Sequence, residues 1–249
     1  MIEITDLSKS FGEIEALHEA SFTVAEGEFV ALIGPSGCGK STLLNMVSGL
    51  MQPTSGTIRY DGVVVEEINT RVGYMTQNET LLPWRSVADN ISVPLEIRGM
   101  PKAARRSAID QIIEMVGLTG FAAHYPSQLS GGMRKRVQLA RTLVYEPETL
   151  LMDEPFGSLD PLLKLVVQEE LLRIWEHSRK TVLYVTHDLG EAISLADRVI
   201  VFTRRPATIS AIFTIDLPRP RDIGVLRGTP AFATLYEHLW EALRGEVVV

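Results

Sequence analysis

The chain contains one cysteine, Cys38, so no disulfide can form within it, and this fits a reducing compartment. Its opening, MIEITDLSKSF, has no basic start followed by an apolar stretch, and no signal peptide is expected. No window approaches the ~20 consecutive apolar residues that cross a bilayer. If such a chain works at a membrane, it does so from the cytoplasmic side and through a partner. Positive charge is not in surplus either: 24 Lys and Arg stand against 31 Asp and Glu, a net charge of −7. Nucleic-acid binding draws on clustered cations and released counterions, so this balance counts against a nucleic-acid partner. No internal repeat or low-complexity tract stands out.

What is present is the composition of an ordinary globular protein, 45% apolar and 22% charged over 249 residues, enough to bury a substantial core. Short β-type runs come first, IEIT at 2–5, SFTV at 21–24, EFVALI at 28–33 and TIRY at 57–60, divided by turn signals such as AEGE and DG. FVALI is continuously apolar and ends at Gly34–Pro35, the pattern of a strand buried on both faces. A helix is predicted from about 40 to 49. In PKAARRSAIDQIIEMVGL, Ile109, Ile112, Ile113 and Val116 recur at helical spacing, with Pro101 suited to the start and Gly117 to the end. Further apolar runs, TLLM at 149–152 and TVLYV at 181–185, alternate with helical stretches. That alternation predicts an α/β domain with a parallel core sheet. RVIVF (198–202) and TISAIF (208–213) read as the last strands. A closing helix over 230–243 puts Phe232, Leu235, Tyr236, Leu239 and Leu243 on one side.

GPSGCGKST at 34–42 fits G-x-x-x-x-G-K-[ST], with Gly34, Gly39, Lys40 and Ser41 at the fixed positions and Pro35, Ser36, Gly37, Cys38 and Thr42 filling the rest. The pattern lies between a buried strand and a helix. Glycines let a backbone wrap a phosphate with its N–H groups inward, and the helix N-terminus adds the positive end of a dipole. Lys40 can reach the β and γ phosphates and the Ser41 hydroxyl can bind Mg²⁺. Cys38 reads as a small side chain at a variable position of the loop. By itself the loop specifies only a nucleoside triphosphate.

LSGGMRKRVQLARTL at 129–143, followed by LLMDEP at 150–155, resembles the signature motif and Walker B of the ABC ATPase family, and the family's motifs follow in order over nearly the whole chain. The resemblance implies an α/β P-loop NTPase (RecA-like) core with a parallel sheet, an N-terminal antiparallel β-subdomain and an α-helical subdomain. The core would take about 1–85 and 136–220, the helical subdomain about 86–135 and a C-terminal helical tail about 221–249. It further implies that ATP and Mg²⁺ are bound, that Asp153 holds the metal, and that Glu154 polarises the attacking water. Ser130, Gly131 and Gly132 would contact the ATP of a second copy in a head-to-tail dimer, although Ser130 also reads as an N-cap. Gln77 in GYMTQ looks like the glutamine that senses Mg²⁺ and water, His187 in YVTHD like the switch histidine, Asp160 in FGSLD like the aspartate of the dimer interface, and Phe11 like the aromatic that stacks on adenine. Each of these last types is also common as a packing or capping residue. LLPWRSVADNI at 81–91 would form a groove for a membrane subunit.

LLPW, MDEPFGSLD and RRPATISAIFTIDLPRPRD (204–222) resemble importer ATPases for nitrate, sulfonates and taurine. That branch implies integral membrane permease subunits, a soluble solute-binding protein acting indirectly, a peripheral location on the cytoplasmic face of the cell membrane, and no additional C-terminal regulatory domain. The chain departs from the branch at Lys135, where Gln is common, at LLK (162–164), where the branch is more polar, and at Thr76, where Phe is frequent. None of these removes a catalytic group. A non-transport ABC ATPase acting on DNA or ribosomes is disfavoured by the lack of a coiled-coil insertion, a second ATPase copy or a basic surplus. A stand-alone P-loop kinase has no reason to carry LSGGM.

Overall fold

The runs at 2–5 and 21–24 are the outer parts of two longer strands, β1 (Ile2–Phe11) and β2 (Ile14–Val24), paired as an antiparallel hairpin. Their inner halves carry Lys, Glu and His on a solvated face, and the register shifts between Ile4 and Ser10 break the alternation that would mark them in the sequence. In the computed structural model, residues 1–157 and 159–247 are described, without the side chain of Val247. Ser158 of FGSLD and the last two residues of the expected C-terminal tail lie outside the described residues.

The chain then runs through β3 (Phe29–Ile33), α1 (Lys40–Val47), β4 (Ser55–Tyr60), β5 (Val63–Val64) and β6 (Val72–Met75). Next come the helices α2 (Val87–Ile97), α3 (Lys102–Met115) and α4 (Gly131–Leu143). The remainder alternates: β7 (Thr149–Asp153), α5 (Pro161–Ser178), β8 (Thr181–Val185), α6 (Leu189–Leu195), β9 (Arg198–Phe202) and β10 (Ile209–Thr214), then α7 (Ile223–Leu226) and α8 (Pro230–Val247). The first sheet has the order β2-β1-β4-β5 and the second β10-β9-β3-β8-β7-β6. The second is parallel from β9 to β6, as its fully buried apolar strands require. The expected parallel core is thus present, and the edge strand β10, whose direction the sequence left open, returns antiparallel to β9 with alternating half-buried and exposed residues.

β3 shows how the layers are sorted. Phe29, Ala31 and Ile33 face the core shared with the helices, while Val30 and Leu32 face the core beneath the N-terminal sheet and α1. In α3 the expected stripe of Ile109, Ile112, Ile113 and Val116 is buried, and Gly117 takes a positive φ of 66° at the helix end. The boundary expected at 135 falls inside α4, one continuous helix. The closing helix runs past 243 to Val247. Phe232, Leu239 and Leu243 are buried on it, but Tyr236 is 43% exposed at the edge of that face.

Trp175 on α5 anchors the helical layer to the sheet. It lies edge-on to Phe29 at 5.5 Å, takes the Arg219 guanidinium on its face at 4.2 Å, and donates its indole N–H to the Lys180 carbonyl at 2.6 Å. Trp175→Ala removes a large buried ring and an anchored hydrogen bond together, and should cost about 3–5 kcal/mol of unfolding free energy in a denaturant titration.

Candidate functional site

The phosphate-type loop joins β3 to α1, with no connecting residues outside the motif. Gly34 passes so close to β9 that a Cβ there would stand 2.8 Å from the Phe202 carbonyl. Gly39, at φ 118°, opens α1 in a conformation that L side chains rarely adopt. Lys40 is buried, and its ammonium donates to the carbonyls of Gly34 and Pro35 at 2.8 and 2.9 Å, with Cys38 Sγ at 3.6 Å. The Arg205 guanidinium holds the Gly37 carbonyl from the other side. Three loop carbonyls are thus taken up by the protein's own cations. Peptide N–H groups and the N-terminus of α1 remain as what the loop offers a ligand, which is the chemistry of an anion site. Ser36 is exposed at the loop's crown and Thr42 lies half-buried in α1.

β7 delivers two carboxylates to the same end of the sheet, where ligands of open parallel sheets bind. Asp153 is buried and accepts a hydrogen bond from the Ser41 hydroxyl at 3.0 Å. Burial pushes its carboxyl above the ordinary aspartate value, against the opposing pull of Ser41 and Lys40. Glu154 follows at a left-handed φ of 43°, pinned by its N–H to the Val185 carbonyl at 2.9 Å. Its Oε2 stands 3.2 Å from the Gln77 amide nitrogen and 3.2 Å from His187 Nδ1. These side chains, with Glu79 and Lys135, border a cavity of about 360 Å³.

His187 owes its place to a buried network just behind it. Glu191 accepts from the hydroxyls of Tyr184 at 2.9 Å and Thr186 at 2.6 Å. Lys164 bridges Glu191 and Asp188 at 2.5 and 3.1 Å, and Asp188 caps α6 through the Glu191 N–H. Burial alone would raise the Asp188 carboxyl, but the hydrogen bond and charge of Lys164 bring it below its ordinary value. The histidine therefore rides on a peptide held on both sides.

Ser130 is the N-cap of α4, accepting from Met133 N–H at 3.3 Å. Gly132 meets the side chain of Leu163, where a Cβ would be 2.5 Å away, so a larger residue there would have to push the leucine aside. Gly131 lies nearby, against Leu159. Asp160 caps α5 through Leu163 N–H at 3.0 Å. Phe11 stands half-exposed at the end of β1, with the Lys9 ammonium 5.3 Å from its ring centre. The structure brings Lys40, Ser41 and Asp153 together, and Gln77, Glu154 and His187 beside them. No hydrogen bond among the described residues joins Phe11, Ser130, Gly131, Gly132 or Asp160 to that cluster. Sequence reasoning missed Glu191, noted Lys135 and Lys164 (in LLK) only as departures, and met Arg205 only inside the basic-proline segment.

The Ser41 hydroxyl and the Asp153 carboxylate form an adjacent pair of hard oxygen donors. Among the described residues no group of three or more His, Cys, Asp or Glu side chains is placed to hold a metal unaided. This fits Mg²⁺, which is bound by one or two protein oxygens and completes its shell with water and substrate phosphate.

Residues 17–157 match the family model described as ABC transporter. The chain is 45% identical over 227 residues to the nitrate import ATP-binding protein NrtD of Synechococcus elongatus, covering 90% of this chain and 83% of that protein. It is 41% identical over 249 residues to the bicarbonate transport ATP-binding protein CmpD of Synechocystis sp., covering 97% and 88%. Among solved structures it resembles the dimeric post-hydrolysis state of the ATP-binding cassette MJ0796 bound to ADP and Pi, at TM-score 0.76 and 31% identity, over 88% of this chain and all of that one.

Lys164→Met leaves Glu191, which is almost wholly buried, and Asp188 without their cation. A broken buried pair should cost about 3 kcal/mol at pH 7. A lowered carboxylate contributes stability above its ordinary value of 3.8 and loses it as the pH falls through the folded-state value. The gap between variant and wild type in urea melts should therefore narrow in acid and be widest near neutrality.

Proposed function

The chain belongs to the ABC transporter family, and from that membership we propose that it is the ATP-binding, ATP-hydrolysing subunit of an importer that works through separate membrane subunits. Its relatives' names point to a small inorganic anion, nitrate or bicarbonate, as the class of solute. Sulfonates and taurine belong to the same branch by sequence resemblance. Among the described residues no helix is long and apolar enough to cross a membrane, so the transport path lies in partners. Exposed Trp84, in the segment between β6 and α2, supports the reading of residues 81–91 as the face that meets a membrane subunit, at the cytoplasmic side. A solute-binding protein would act on those subunits and not on this chain.

One observation carries the hydrolytic reading: Glu154 is held between Gln77 and His187, directly beside the Ser41–Asp153 pair at the mouth of the phosphate loop. The loop N–H groups and Lys40 bind the triphosphate, and Lys40 exchanges its loop carbonyls for phosphate oxygens. Ser41 and Asp153 would hold Mg²⁺, which neutralises phosphate charge when bound. Gln77 and His187 fix the Glu154 carboxylate, and Glu154 orients a water for attack on the γ-phosphorus. The new bond is water oxygen to γ-phosphorus, the broken one runs to the β-phosphate oxygen, and ADP and phosphate leave. Such a reaction needs positioning and charge neutralisation more than covalent help. Phe11 offers an exposed ring to the adenine. Ser130, Gly131 and Gly132 offer a second helix N-terminus, which serves the ATP of the other copy in a head-to-tail pair, with Asp160 at the same interface.

Glu154→Gln should keep nucleotide affinity within about threefold while kcat falls by about 10³ or more, as expected for a group acting in the transition state. Near-normal turnover would remove Glu154 from its role. Ser130→Arg should bind ATP as a monomer yet fail to hydrolyse it, and full activity in that variant would exclude the two-copy site. Affinity purification from the native membrane should bring down an integral membrane protein; a nucleic acid or ribosome in its place would overturn the transport reading.

A further inference from the structure

Helix α4 covers the Gln77 loop with a row of donors at helical spacing. Arg134 holds the Glu79 carboxylate at 2.9 Å and Lys135 donates to the Gln77 carbonyl at 2.9 Å. Gln138 donates to the carbonyls of Thr76 and Asn78 at 3.2 and 3.0 Å, and Arg141 to that of Thr80 at 2.7 Å. Every residue from 76 to 80 is thus held by one helix. The first turn of the same helix is Ser130–Gly132. The loop and the signature turn are two ends of a single stiff piece.

Lys135 is the unusual member of the row. It is 1% exposed, and it borders the cavity that contains Glu154, Gln77 and His187. An ammonium taken out of water costs free energy unless well paired. Here its described hydrogen-bond acceptor is one peptide carbonyl, and the nearby Glu79 is already held by Arg134. Burial holds the Lys135 ammonium below the ordinary lysine value, with Glu79 opposing. Packing alone would be served at less cost by an apolar side chain of similar length.

We propose that Lys135 is a positioning residue for hydrolysis: by fixing the Gln77 carbonyl it sets where the Gln77 amide meets Glu154, and it makes that setting follow the signature turn of its own helix. This rests on the two-copy reading given above, in which the signature turn serves the partner's nucleotide. Lys135 then carries the state of one nucleotide site to the glutamate of the other, 19 positions along the chain from it but across one cavity.

The test compares full-length Lys135→Met and Lys135→Gln with wild type in steady-state ATP hydrolysis, equilibrium ATP binding and thermal melting. Lys135→Met should lower kcat about tenfold or more, because misplacing a group near the reacting atoms by about an ångström costs this much. Its ATP affinity should stay within about twofold, since binding and chemistry are separable in such a variant. It should melt no lower than wild type, since an apolar side chain replaces a buried charge. Lys135→Gln keeps a donor and should recover most of kcat. Wild-type kcat in the Met variant overturns the proposal, and so does a joint loss of kcat and melting temperature that Gln does not relieve. Gel filtration of Glu154→Gln with ATP separates this from the underlying reading. If no ATP-dependent dimer forms, the two-copy reading fails; if the dimer forms and Lys135→Met is fully active, only the role of Lys135 fails.

Discussion

The site depends on one reversal of the backbone. β7 ends at Asp153, and Glu154 then turns through a left-handed conformation that non-glycine residues adopt at a cost. Consecutive side chains on a strand already point to opposite faces, and the turn at Glu154 sets where the second carboxylate lies. Asp153 meets the Ser41 hydroxyl at the start of α1, and Glu154 lies between Gln77, which follows β6, and His187, which follows β8, the two strands that flank β7. The turn holds the two acids in separate surroundings, one at the Ser41 hydroxyl and one between Gln77 and His187. The hydrogen bond from Glu154 N–H to Val185 keeps it in place, which makes β8, and the histidine two residues on, part of the same constraint.

The parts legible in the sequence are those where one local requirement dominates. FVALI, TLLM and TVLYV are buried on both faces, so their apolar character shows through unmixed, and the glycines of the phosphate loop are demanded by backbone shape. The hairpin β1–β2 was only half visible because its polar halves and bulges hide its period. β10 read as a strand, but nothing in TISAIF announces that it runs antiparallel; that follows from the short return after β9. The networks behind the site were harder still. Glu191 sits in a helix of seven residues that looks like any acidic helix start, and only the fold brings Tyr184, Thr186 and Lys164 onto it. Lys135 differs from a solvated lysine by burial alone, which sequence spacing does not report.

The basic-proline segment after β9, the strongest marker of branch in the sequence, is architectural in the structure. Arg205 holds the phosphate loop at Gly37, and Arg219 binds Asp197 and the Leu195 carbonyl while covering Trp175. Arg221 is buried among the carbonyls of Ile193, Ser194, Ala196, Ile215 and Leu217, and burial draws its pKa down to about 10. These arginines tie the C-terminal helices to α6 and to the nucleotide loop. Their pattern is a property of how this fold is tied together.

The placement of β3 has a consequence for how the chain is made. Its neighbours in the sheet are β8 and β9, and Phe29 pairs with Val182, 153 positions later (182 minus 29). At synthesis rates of roughly 5–20 residues per second, the most apolar strand of the chain waits roughly 8–30 s on the ribosome before its partners exist. α2 and α3, whose contacts are local, can close long before then. The strand that presents the phosphate loop is therefore among the last to be secured. Over that interval FVALI is an apolar strand without its partners, the kind of transient exposure that makes a nascent chain prone to aggregate.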